Sequence, residues 1–402
     1  MRVAFAGLLL DEPRFALRRG DDVVHVEPQV FEVLAYLVAH RDRVVSKEEL
    51  LDAVWGDRFV SESALTSRIK AARRAVGDNG TPQRIIRTIH GRGYRFVASV
   101  EVQDDEPATA PSAVDIEPAP IQQEIRFCTA SDGVCLAYAV TGHGPPLVRA
   151  AHWMTHLDHD LRSPVWRHWI TDLSARNVLV RYDERGCGLS DHDTEDFSLD
   201  AWVRDLSAVV DAAGLDRFSL LGVSQGGAVA IAYAARHPER VERLVLCNAY
   251  VRGRVVRARD AAERREAELQ AEVAAVGWGR DDVAYRHFFA SSFVPDADPA
   301  LWDAFAELQR RTTSAENAYR FMTTYARLDV TELATQIRVP TLVLHAQDDH
   351  RVPFDQAREL AAAIPGSRLV PLVSANHLFL AGEPAWAEVV RRVGEFTWAG
   401  AA

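Results

Sequence analysis

Cysteine is scarce in this sequence, and long apolar runs are absent. Its 402 residues include four cysteines, and no two of them have the CxxC spacing of metal or redox motifs. We therefore expect free thiols in a reducing cytoplasm, and we expect neither a metal nor a cofactor. No stretch is long and apolar enough to cross a bilayer. The opening apolar run is too short for a secretion signal, because it leads directly into Asp11 and Glu12.

Positive charge is in the minority, since the formal net charge is −11. One segment departs from this balance. Residues 61–98 contain eight Lys or Arg side chains, against only Glu62 and Asp78. A basic patch in an acidic chain can face a polyanion such as a nucleic acid. The composition therefore favours a nucleic-acid partner for one part of the chain only.

The chain is long for a single domain. Residues 101–124 contain four prolines, many alanines and seven acidic residues, with no Lys or Arg. Such a stretch cannot bury a core and is expected to be extended. We therefore predict a first domain over 1–100, an acidic Pro/Ala-rich linker over 101–121 and a second domain over 122–402.

The first domain combines short strands, three helices and a hairpin. Pro28 at a first helical position and a capping box of Ser46 with Glu49 mark the starts of two helices. The predicted elements are strands around Val3–Leu10, Arg14–Arg18 and Val23–Val26, helices from Pro28, from Ser46 and over Ser61–Val76, and a hairpin over Ile85–Phe96.

The third predicted helix has two unlike faces. Its apolar residues, among them Leu65 and Ile69, fall on one side and are expected in the core. The opposite side is basic, rich in hydroxyls and almost free of acid. Lys and Arg there can contact phosphates, and Arg can also bind a guanine edge. The candidate DNA-contacting residues on this helix are Ser63, Thr66, Ser67, Lys70, Arg73 and Arg74.

Four segments of the first domain resemble the OmpR/PhoB-type winged helix, the DNA-binding output domain of many bacterial response regulators. They are Val26–Phe31, Val44–Leu50, Val54–Gly56 and Ile86–Phe96. The resemblance spans residues 1–98 and implies an α+β winged helix-turn-helix. It implies that the third helix enters the major groove of double-stranded DNA and that the chain forms a homodimer. It also implies backbone or minor-groove contacts from the wing residues Arg87, Arg92 and Arg95. We expect this chain to lack the receiver domain that such regulators usually have.

Alternating strands and helices fill the second domain, which predicts a doubly wound, mostly parallel sheet. A charged, helical segment rich in aromatic residues interrupts the alternation over about 251–335, and we expect it to be an inserted lid. Strand Phe218–Leu221 leads into Gly222-Val223-Ser224-Gln225-Gly226 and then into a helix of small residues. A Gly-x-Ser-x-Gly turn between a strand and a helix is typical of a nucleophile elbow.

A serine nucleophile needs a base and an acid, and both follow Ser224 in the order required. His377 comes after the last strand and is the predicted base, which takes the serine proton. Asp349 follows the preceding strand and is predicted to orient the imidazole and stabilise its charged form. Asp348 is an alternative acid. The distance from the strand end and the spacing to the following Val-Pro pair favour Asp349.

The second domain resembles α/β-hydrolases over about 122–400. The resemblance implies that fold and a Ser-Asp-His triad. Its motifs are the elbow, Asp183-x-Arg185-Gly186-x-Gly188-x-Ser190, Asp349-x-x-Val352-Pro353 and His377-x-Phe379-Leu380.

One stretch departs from the hydrolase pattern. The His-Gly that usually follows the third strand in that superfamily is replaced by His152-Trp153. The backbone N–H groups of Trp153 and Gln225 are the candidate donors of an oxyanion hole. His152, Trp153 and Phe379 are the candidate walls of a ligand pocket.

Two functions fit these residues. The first is a one-component transcriptional regulator whose second domain senses, and in one version hydrolyses, a small apolar or aromatic ligand; the fused DNA-binding domain favours it. In the receptor form, Ser224 and His377 are polar anchors in an apolar pocket. The alternative is a serine esterase or lactonase whose winged helix is accessory or a protein-interaction module. The complete set of triad residues favours this alternative.

Overall fold

The chain divides into two compact units, Met1–Asp115 and Ile116–Ala402. The predicted linker lies outside the described residues from 103 to 121. The computed structural model describes residues 2–11, 16–20, 22–24, 26, 28–55, 62–78, 82–89, 91–102, 123–152, 154–280 and 282–398.

The first unit combines a sheet, three helices and a hairpin. Its elements are β1 (Arg2–Phe5), β2 (Leu8–Asp11), β3 (Ala16–Arg19), β4 (Asp22–Val24), α1 (Pro28–Ala39), α2 (Lys47–Trp55), α3 (Glu62–Val76), β5 (Ile86–Ile89), β6 (Gly93–Phe96) and β7 (Glu101–Val102). In the described part of this unit, an antiparallel sheet has the order β4-β3-β2-β1-β7, and β5 pairs with β6. The core side of α3 is buried as its periodicity predicts, and it includes Leu65, Ile69, Ala72 and Val76.

The opening segment is a hairpin rather than the single strand predicted over Val3–Leu10. Val3 pairs with Leu10 across β1 and β2. The turn between them has positive φ at both central residues, 48° at Ala6 and 73° at Gly7. This is the geometry of a type I′ turn, whose twist matches that of the flanking strands. The turn was missed because the apolar pattern runs through it and alanine is an uncommon residue at positive φ.

A close backbone approach holds the β5–β6 hairpin against the chain that enters α2. Val45 and Tyr94 exchange backbone hydrogen bonds of 2.8 and 2.9 Å. Gly93 has a φ of +136°, and a Cβ there would lie 2.0 Å from the Val45 carbonyl oxygen. Only glycine fits such a contact. In the Gly-Tyr pair of the predicted wing, the glycine therefore allows the close approach and the tyrosine backbone makes the hydrogen bonds.

The second unit alternates strands and helices around one large sheet. Its elements are β8 (Glu124–Thr129), β9 (Cys135–Thr141), β10 (Pro146–Arg149), α4 (Leu157–Asp160), α5 (Arg167–Ser174), β11 (Val178–Tyr182), α6 (Leu199–Ala212), β12 (Phe218–Val223), α7 (Gly226–Arg236), β13 (Val241–Cys247), α8 (Ala261–Gly277), α9 (Val283–Phe293), α10 (Pro299–Thr312), α11 (Ala315–Arg327), α12 (Thr331–Thr335), β14 (Thr341–Ala346), α13 (Phe354–Ala363), β15 (Arg368–Leu372) and α14 (Pro384–Trp398). Among the described helices of both units, none has the length and apolar composition that a bilayer crossing requires.

The predicted doubly wound, mostly parallel sheet is confirmed. The strand order is β15-β14-β13-β12-β10-β11-β9-β8. Strands β10 to β15 are parallel, whereas β9 pairs antiparallel with both β11 and β8. The order reverses between β10 and β12, which is where such sheets bind ligands, beyond the carboxyl ends of their strands. In register, Val223 pairs with Cys247 and Cys247 with Leu344. The residues after β12, β13 and β14 therefore emerge side by side.

The interruption of the alternation is a set of helices, α8 to α12, between β13 and β14. Each of the four longer helices begins with a side chain that caps it, as the polar residues Asp260, Asp282, Asp298 and Ser314 accept a hydrogen bond from the first turn. Such caps satisfy N–H groups that have no partner within the helix. The helices predicted for the lid segment are thus specified by its local sequence, including these capping residues.

The Asp-x-Arg-Gly-x-Gly motif after β11 is a structural junction. The Asp183 carboxylate accepts hydrogen bonds from the backbone of Leu157 and Leu189. The Arg185 guanidinium donates to both carboxylate oxygens of Asp205 in α6, at 2.6 and 2.8 Å, and both side chains are buried. Asp132 approaches the same guanidinium at 2.9 Å. The motif therefore joins a loop, a strand end and a helix through paired charges.

We expect Asp205→Asn to lower the free energy of unfolding of the second unit by about 3 kcal/mol. The substitution leaves the buried Arg185 charge without its bidentate partner. Urea unfolding followed by tryptophan fluorescence measures this, because every tryptophan except Trp55 belongs to the second unit.

Asp211→Asn in the same helix is the matched control. It removes an exposed pair with Arg240, in which the aspartate side chain is 64% exposed, and it should cost less than about 1 kcal/mol. Equal losses of stability in the two variants would show that the buried pair contributes no more to the free energy of unfolding than the exposed pair does.

Candidate active site and nucleic-acid interface

Ser224 occupies a tight turn between β12 and α7. Its φ is 51°, in the left-handed region that non-glycine residues rarely adopt and that often marks functional sites. A Cβ on Gly222 would lie 2.7 Å from Gly227 Cα, and a Cβ on Gly226 would lie 2.9 Å from the Ala151 carbonyl oxygen. The small residues predicted for an elbow are therefore required by packing. The turn presents the serine hydroxyl at the reversal point of the sheet.

The structure places His377 within hydrogen-bonding distance of both Asp349 and Ser224. His377 Nδ1 lies 2.7 Å from Asp349 Oδ2, and His377 Nε2 lies 2.8 Å from Ser224 Oγ. Because a carboxylate only accepts hydrogen bonds, Nδ1 carries the proton and Nε2 is free to accept the serine hydroxyl. This is the geometry of a nucleophile, its base and an orienting acid.

Asp349, rather than its neighbour, meets the histidine. Its other carboxylate oxygen accepts backbone hydrogen bonds from Arg351 and Val352, at 2.7 and 2.9 Å. Burial acts to raise the pKa of the Asp349 carboxyl, but His377 and these hydrogen bonds outweigh burial, and the pKa lies below its ordinary value. Asp348 is exposed. The carboxylate is thus ionised and fixed where the imidazole needs it.

Sequence reasoning missed Asn248, which follows β13. Its amide donates to the His377 carbonyl at 2.6 Å, and its side-chain oxygen accepts from the Ala346 N–H at 2.8 Å. Its own φ is 47°, which asparagine tolerates better than most residues. Asn248 therefore ties the histidine loop to the end of β14. An asparagine directly after the strand that follows the elbow is the signal that could have identified it.

The lid also holds the histidine loop. The backbone N–H groups of His377 and Leu378 donate to the carbonyl oxygen of Phe293, at the end of α9, at 2.8 and 3.2 Å. The Phe293 ring lies edge-on to the imidazole, with 5.3 Å between ring centroids. His377, the predicted base, is thus positioned by a helix of the lid as well as by the sheet.

An open cavity lies beside Ser224, and its space of about 470 Å³ includes solvent at the mouth. Its walls come from the elbow, from the segment after β13, from lid helices α8 and α11 and from the loop after β14. Among the described residues, its lining consists of Ser224, Gln225, Tyr250, Arg254, Arg257, Ala267, Gln270, Met322, Tyr325, Ala326, Arg351 and Val352.

The predicted pocket walls do not coincide with this lining. His152 is buried and packs on Trp166, with ring centroids 4.7 Å apart. Phe379 is buried against Trp169, because its loop turns toward α5 and its carbonyl accepts from the Trp169 ring. Trp153 lies outside the described residues. His152 and Phe379 are therefore core residues behind the site rather than its walls.

Only one of the two predicted oxyanion donors can be located. Gln225 stands at the N-terminus of α7 and lines the cavity, where backbone N–H groups and the helix dipole favour negative charge. Burial, Arg149 and His377 together hold the pKa of His152 well below its ordinary value. The imidazole beside the site is therefore neutral, and its Nε2 has no hydrogen-bond partner within the described ranges.

The residues predicted to contact DNA lie on α3 and on the hairpin. Thr66, Ser67, Lys70 and Arg74 on the helix are exposed, as are Arg87, Arg92 and Arg95 on the hairpin. The side chain of Ser63 lies outside the described residues.

Arg73 is an exception among these basic residues. Its guanidinium donates to the Ile86 carbonyl and to the Thr88 hydroxyl. This joins the helix to the hairpin, so the structure gives Arg73 a positioning role where an outward contact was predicted.

Two family models match separate parts of the chain. One, described as the alpha/beta hydrolase fold, matches residues 160–384, which is more than half of the chain. The other, described as the C-terminal part of transcriptional regulatory proteins, matches residues 21–96. The first match covers the elbow, the acid and the histidine, and the second covers α3 and the hairpin.

Individual proteins similar to this chain also match either its hydrolase part or its regulator part. A putative carbamate hydrolase, RutD, from Azorhizobium caulinodans is 27% identical over 62% of this chain and 90% of its own length. The transcriptional regulator HilA from Salmonella typhi is 37% identical over 27% of this chain and 19% of its own length. The crystal structure of a hydrolase from Pseudomonas aeruginosa matches with a TM-score of 0.55 and 26% identity, covering 67% of this chain and 97% of that one.

Replacing Asn248 with alanine should slow the reaction of Ser224 with a fluorophosphonate by roughly a hundredfold, because small displacements of reacting groups cost rates of that order. The measurement is the rate of covalent labelling, read by intact mass.

Asn177→Ala is the matched control. Asn177 is also buried and also donates to a backbone carbonyl, that of Leu173, at 2.8 Å. Both variants should lose stability, but only Asn248→Ala should lose labelling rate. Equal labelling rates would mean that Asn248 has a purely structural role.

Proposed function

Because the chain belongs to the α/β-hydrolase fold family and its first domain is of the OmpR/PhoB type, we propose that it is a one-component transcriptional regulator that binds double-stranded DNA and hydrolyses a small acyl compound. The observation that carries the proposal is the assembled contact of Ser224, His377 and Asp349 within a chain that also has the regulator domain. An ester or a lactone is the substrate class that this chemistry attacks.

The proposed reaction proceeds through an acyl-enzyme. Ser224 Oγ bonds to the substrate carbonyl carbon while His377 Nε2 takes its proton, and the carbonyl oxygen becomes an oxyanion near the N–H of Gln225. The oxyanion collapses, the C–O bond to the alcohol breaks, and His377 protonates the departing oxygen. Water then repeats the sequence at the acyl carbon and releases the acid, while Asp349 stabilises the imidazolium in both halves.

The regulatory half of the proposal depends on the exposed basic face of α3. Its Lys70 and Arg74, with the arginines of the hairpin, would meet the DNA backbone and base edges. Binding as a homodimer to two half-sites is part of this proposal. The substrate or its product would then change the affinity of the full chain for DNA, so hydrolysis would begin or end the signal.

A receptor that does not turn over its ligand is the second candidate. The observation that favours it is the substitution of the family's His-Gly by His152-Trp153, where a second oxyanion donor is usually supplied. In that case Ser224 and His377 would hydrogen-bond a ligand that is not cleaved.

Labelling with a fluorophosphonate separates the two candidates. We expect one adduct per chain, on Ser224, and hydrolysis of 4-nitrophenyl acetate that falls at least ~10³-fold in Ser224→Ala and in His377→Ala, because triad members act as a unit.

Ser219→Ala is the control, since Ser219 is a buried serine of the same strand, β12. It should keep both the adduct and the activity. A Ser224→Ala variant as active as the wild type would exclude serine catalysis. Absence of labelling in a folded chain would leave the receptor as the function of the domain.

The DNA-binding half is tested by Lys70→Ala/Arg74→Ala. We expect weaker binding to a random-sequence 30-base-pair duplex. The slope of log Kd against log salt concentration should also become smaller, by about one for each DNA phosphate that the variant no longer neutralises. Fluorescence anisotropy of the full chain measures both quantities.

The control double variant is Arg176→Ala/Arg217→Ala, which removes two exposed arginines from the second unit. It carries the same change of charge and should bind the duplex as the wild type does. Equal weakening in both double variants would show that the effect is one of net charge and not of α3.

A further inference from the structure

Three arginines share the cavity with the Ser224 hydroxyl. Arg254 and Arg257 come from the segment between β13 and α8, and Arg351 comes from the loop after β14. They are partly buried, and they also border a wider groove at the cavity mouth. Positive charge is thus concentrated between the solvent-facing groove and the nucleophile.

These guanidinium groups are short of negative partners. Within the described residues, neither Arg257 nor Arg351 has a carboxylate within salt-bridge distance, and Nη1 of Arg257 is buried without a hydrogen-bond partner. Arg254 approaches the exposed Glu266 at 3.8 Å. Buried charges are ordinarily paired. The cavity therefore holds more positive charge than its own residues neutralise.

Aromatic rings, one amide and the Arg351 backbone carbonyl, which accepts from Arg257 Nη2 at 3.2 Å, position the arginines without neutralising them. Arg351 lies over the Phe293 ring and Arg257 over the Tyr250 ring, at 4.7 and 5.6 Å from the ring centroids. Gln270 Oε1 accepts hydrogen bonds from Arg254 Nη1 and from Arg351 Nη1, the latter at 2.7 Å. A neutral oxygen thus lies between two guanidinium groups, a position that suits the oxygen of an anion.

The acids nearest the cavity do not offset this charge. Asp349 is engaged by His377. Burial raises the pKa of Glu184 to about 8, and the hydroxyl of the cavity residue Tyr325 donates to it. Burial also lowers the pKa of Arg351 to about 9 and that of Arg257 to about 10. At pH 7 the arginines remain charged while Glu184 is mostly neutral, so a bound anion would meet a net positive field.

We propose that the compound cleaved at Ser224 carries a carboxylate, which Arg254, Arg257 and Arg351 bind while its ester or lactone carbonyl faces the serine. This inference rests on the proposed function of the same cavity and specifies its substrate class. Paired hydrogen bonds from guanidinium to carboxylate provide both affinity and orientation. Tyr250, Met322 and Tyr325 also line the cavity and would contact an aromatic or apolar body. The apolar ligand predicted from the sequence would then be an apolar acid.

The test compares esters that carry a carboxylate with neutral esters of similar structure. The first pair is 4-acetoxybenzoate and its methyl ester. The second is mono(4-nitrophenyl) adipate and 4-nitrophenyl hexanoate. The pairs place the anion on the alcohol side and on the acyl side of the scissile bond. We expect kcat/KM of the charged member to exceed that of the neutral member by about tenfold or more in at least one pair, as charged hydrogen bonds contribute that much.

Arg257→Gln and Arg254→Gln should each reduce this charged-to-neutral ratio by about tenfold. The ratio cancels any general loss of activity. Arg264→Gln is the matched control, since Arg264 is an exposed arginine of α8 and lies outside the cavity lining; it should keep the ratio.

Binding of the esters to the Ser224→Ala variant tests the inference independently of turnover. Calorimetry with the four esters should show tighter binding of the charged member, and the difference should disappear in Ser224→Ala/Arg257→Gln. Turnover without a charge preference would overturn this inference and leave the proposed hydrolysis intact. A preference in binding, with neither turnover nor a fluorophosphonate adduct, would support the anion site and overturn hydrolysis. No preference in either measurement, or one unchanged in both arginine variants, would overturn the inference.

Discussion

The close packing of backbone around Ser224 is the constraint on which the second unit depends. Glycines at 222, 226 and 227 allow β12, α7 and the loops after β10 and β13 to approach without intervening side chains. The serine is held at a φ of 51° as a result, and its hydroxyl projects where the strand order reverses. The register of the sheet then places Asn248 and the loops of Asp349 and His377 at the same edge. The site is a product of the sheet more than of any one loop.

Much of this arrangement could be predicted because it is encoded locally or by chain order. The elbow needs only its own five residues and its neighbours, and the order of serine, acid and histidine follows from consecutive strand ends. The lid helices carry their own caps. The Ala6-Gly7 turn escaped prediction because its apolar pattern is continuous, and only the backbone reveals the two positive φ values.

The cavity walls could not be predicted, because they come from segments far apart in the chain. Phe379 follows the histidine in sequence, yet its side chain packs on Trp169, and Arg254 and Arg351 face the cavity although no local pattern marks them. Arg73 shows the same limit in the first unit. Helical periodicity places it near the outer face of α3, but its guanidinium donates hydrogen bonds to the hairpin. Periodicity gives the direction of a side chain but not its partner.

The contact of Phe293 with the histidine loop gives helices α8 and α9 of the lid different roles. Helix α9 ends in the carbonyl that receives the His377 and Leu378 N–H groups, so a shift of α9 would displace the base. Helix α8 contributes Ala267 and Gln270 to the cavity and makes no hydrogen bond to the histidine loop among the described residues. Substitutions in α8 can therefore change which compounds the cavity accepts, whereas α9 must keep its position to hold the histidine loop. Under the proposed function, such a lid would allow the recognised compound to change while the contact of Ser224, His377 and Asp349 is kept.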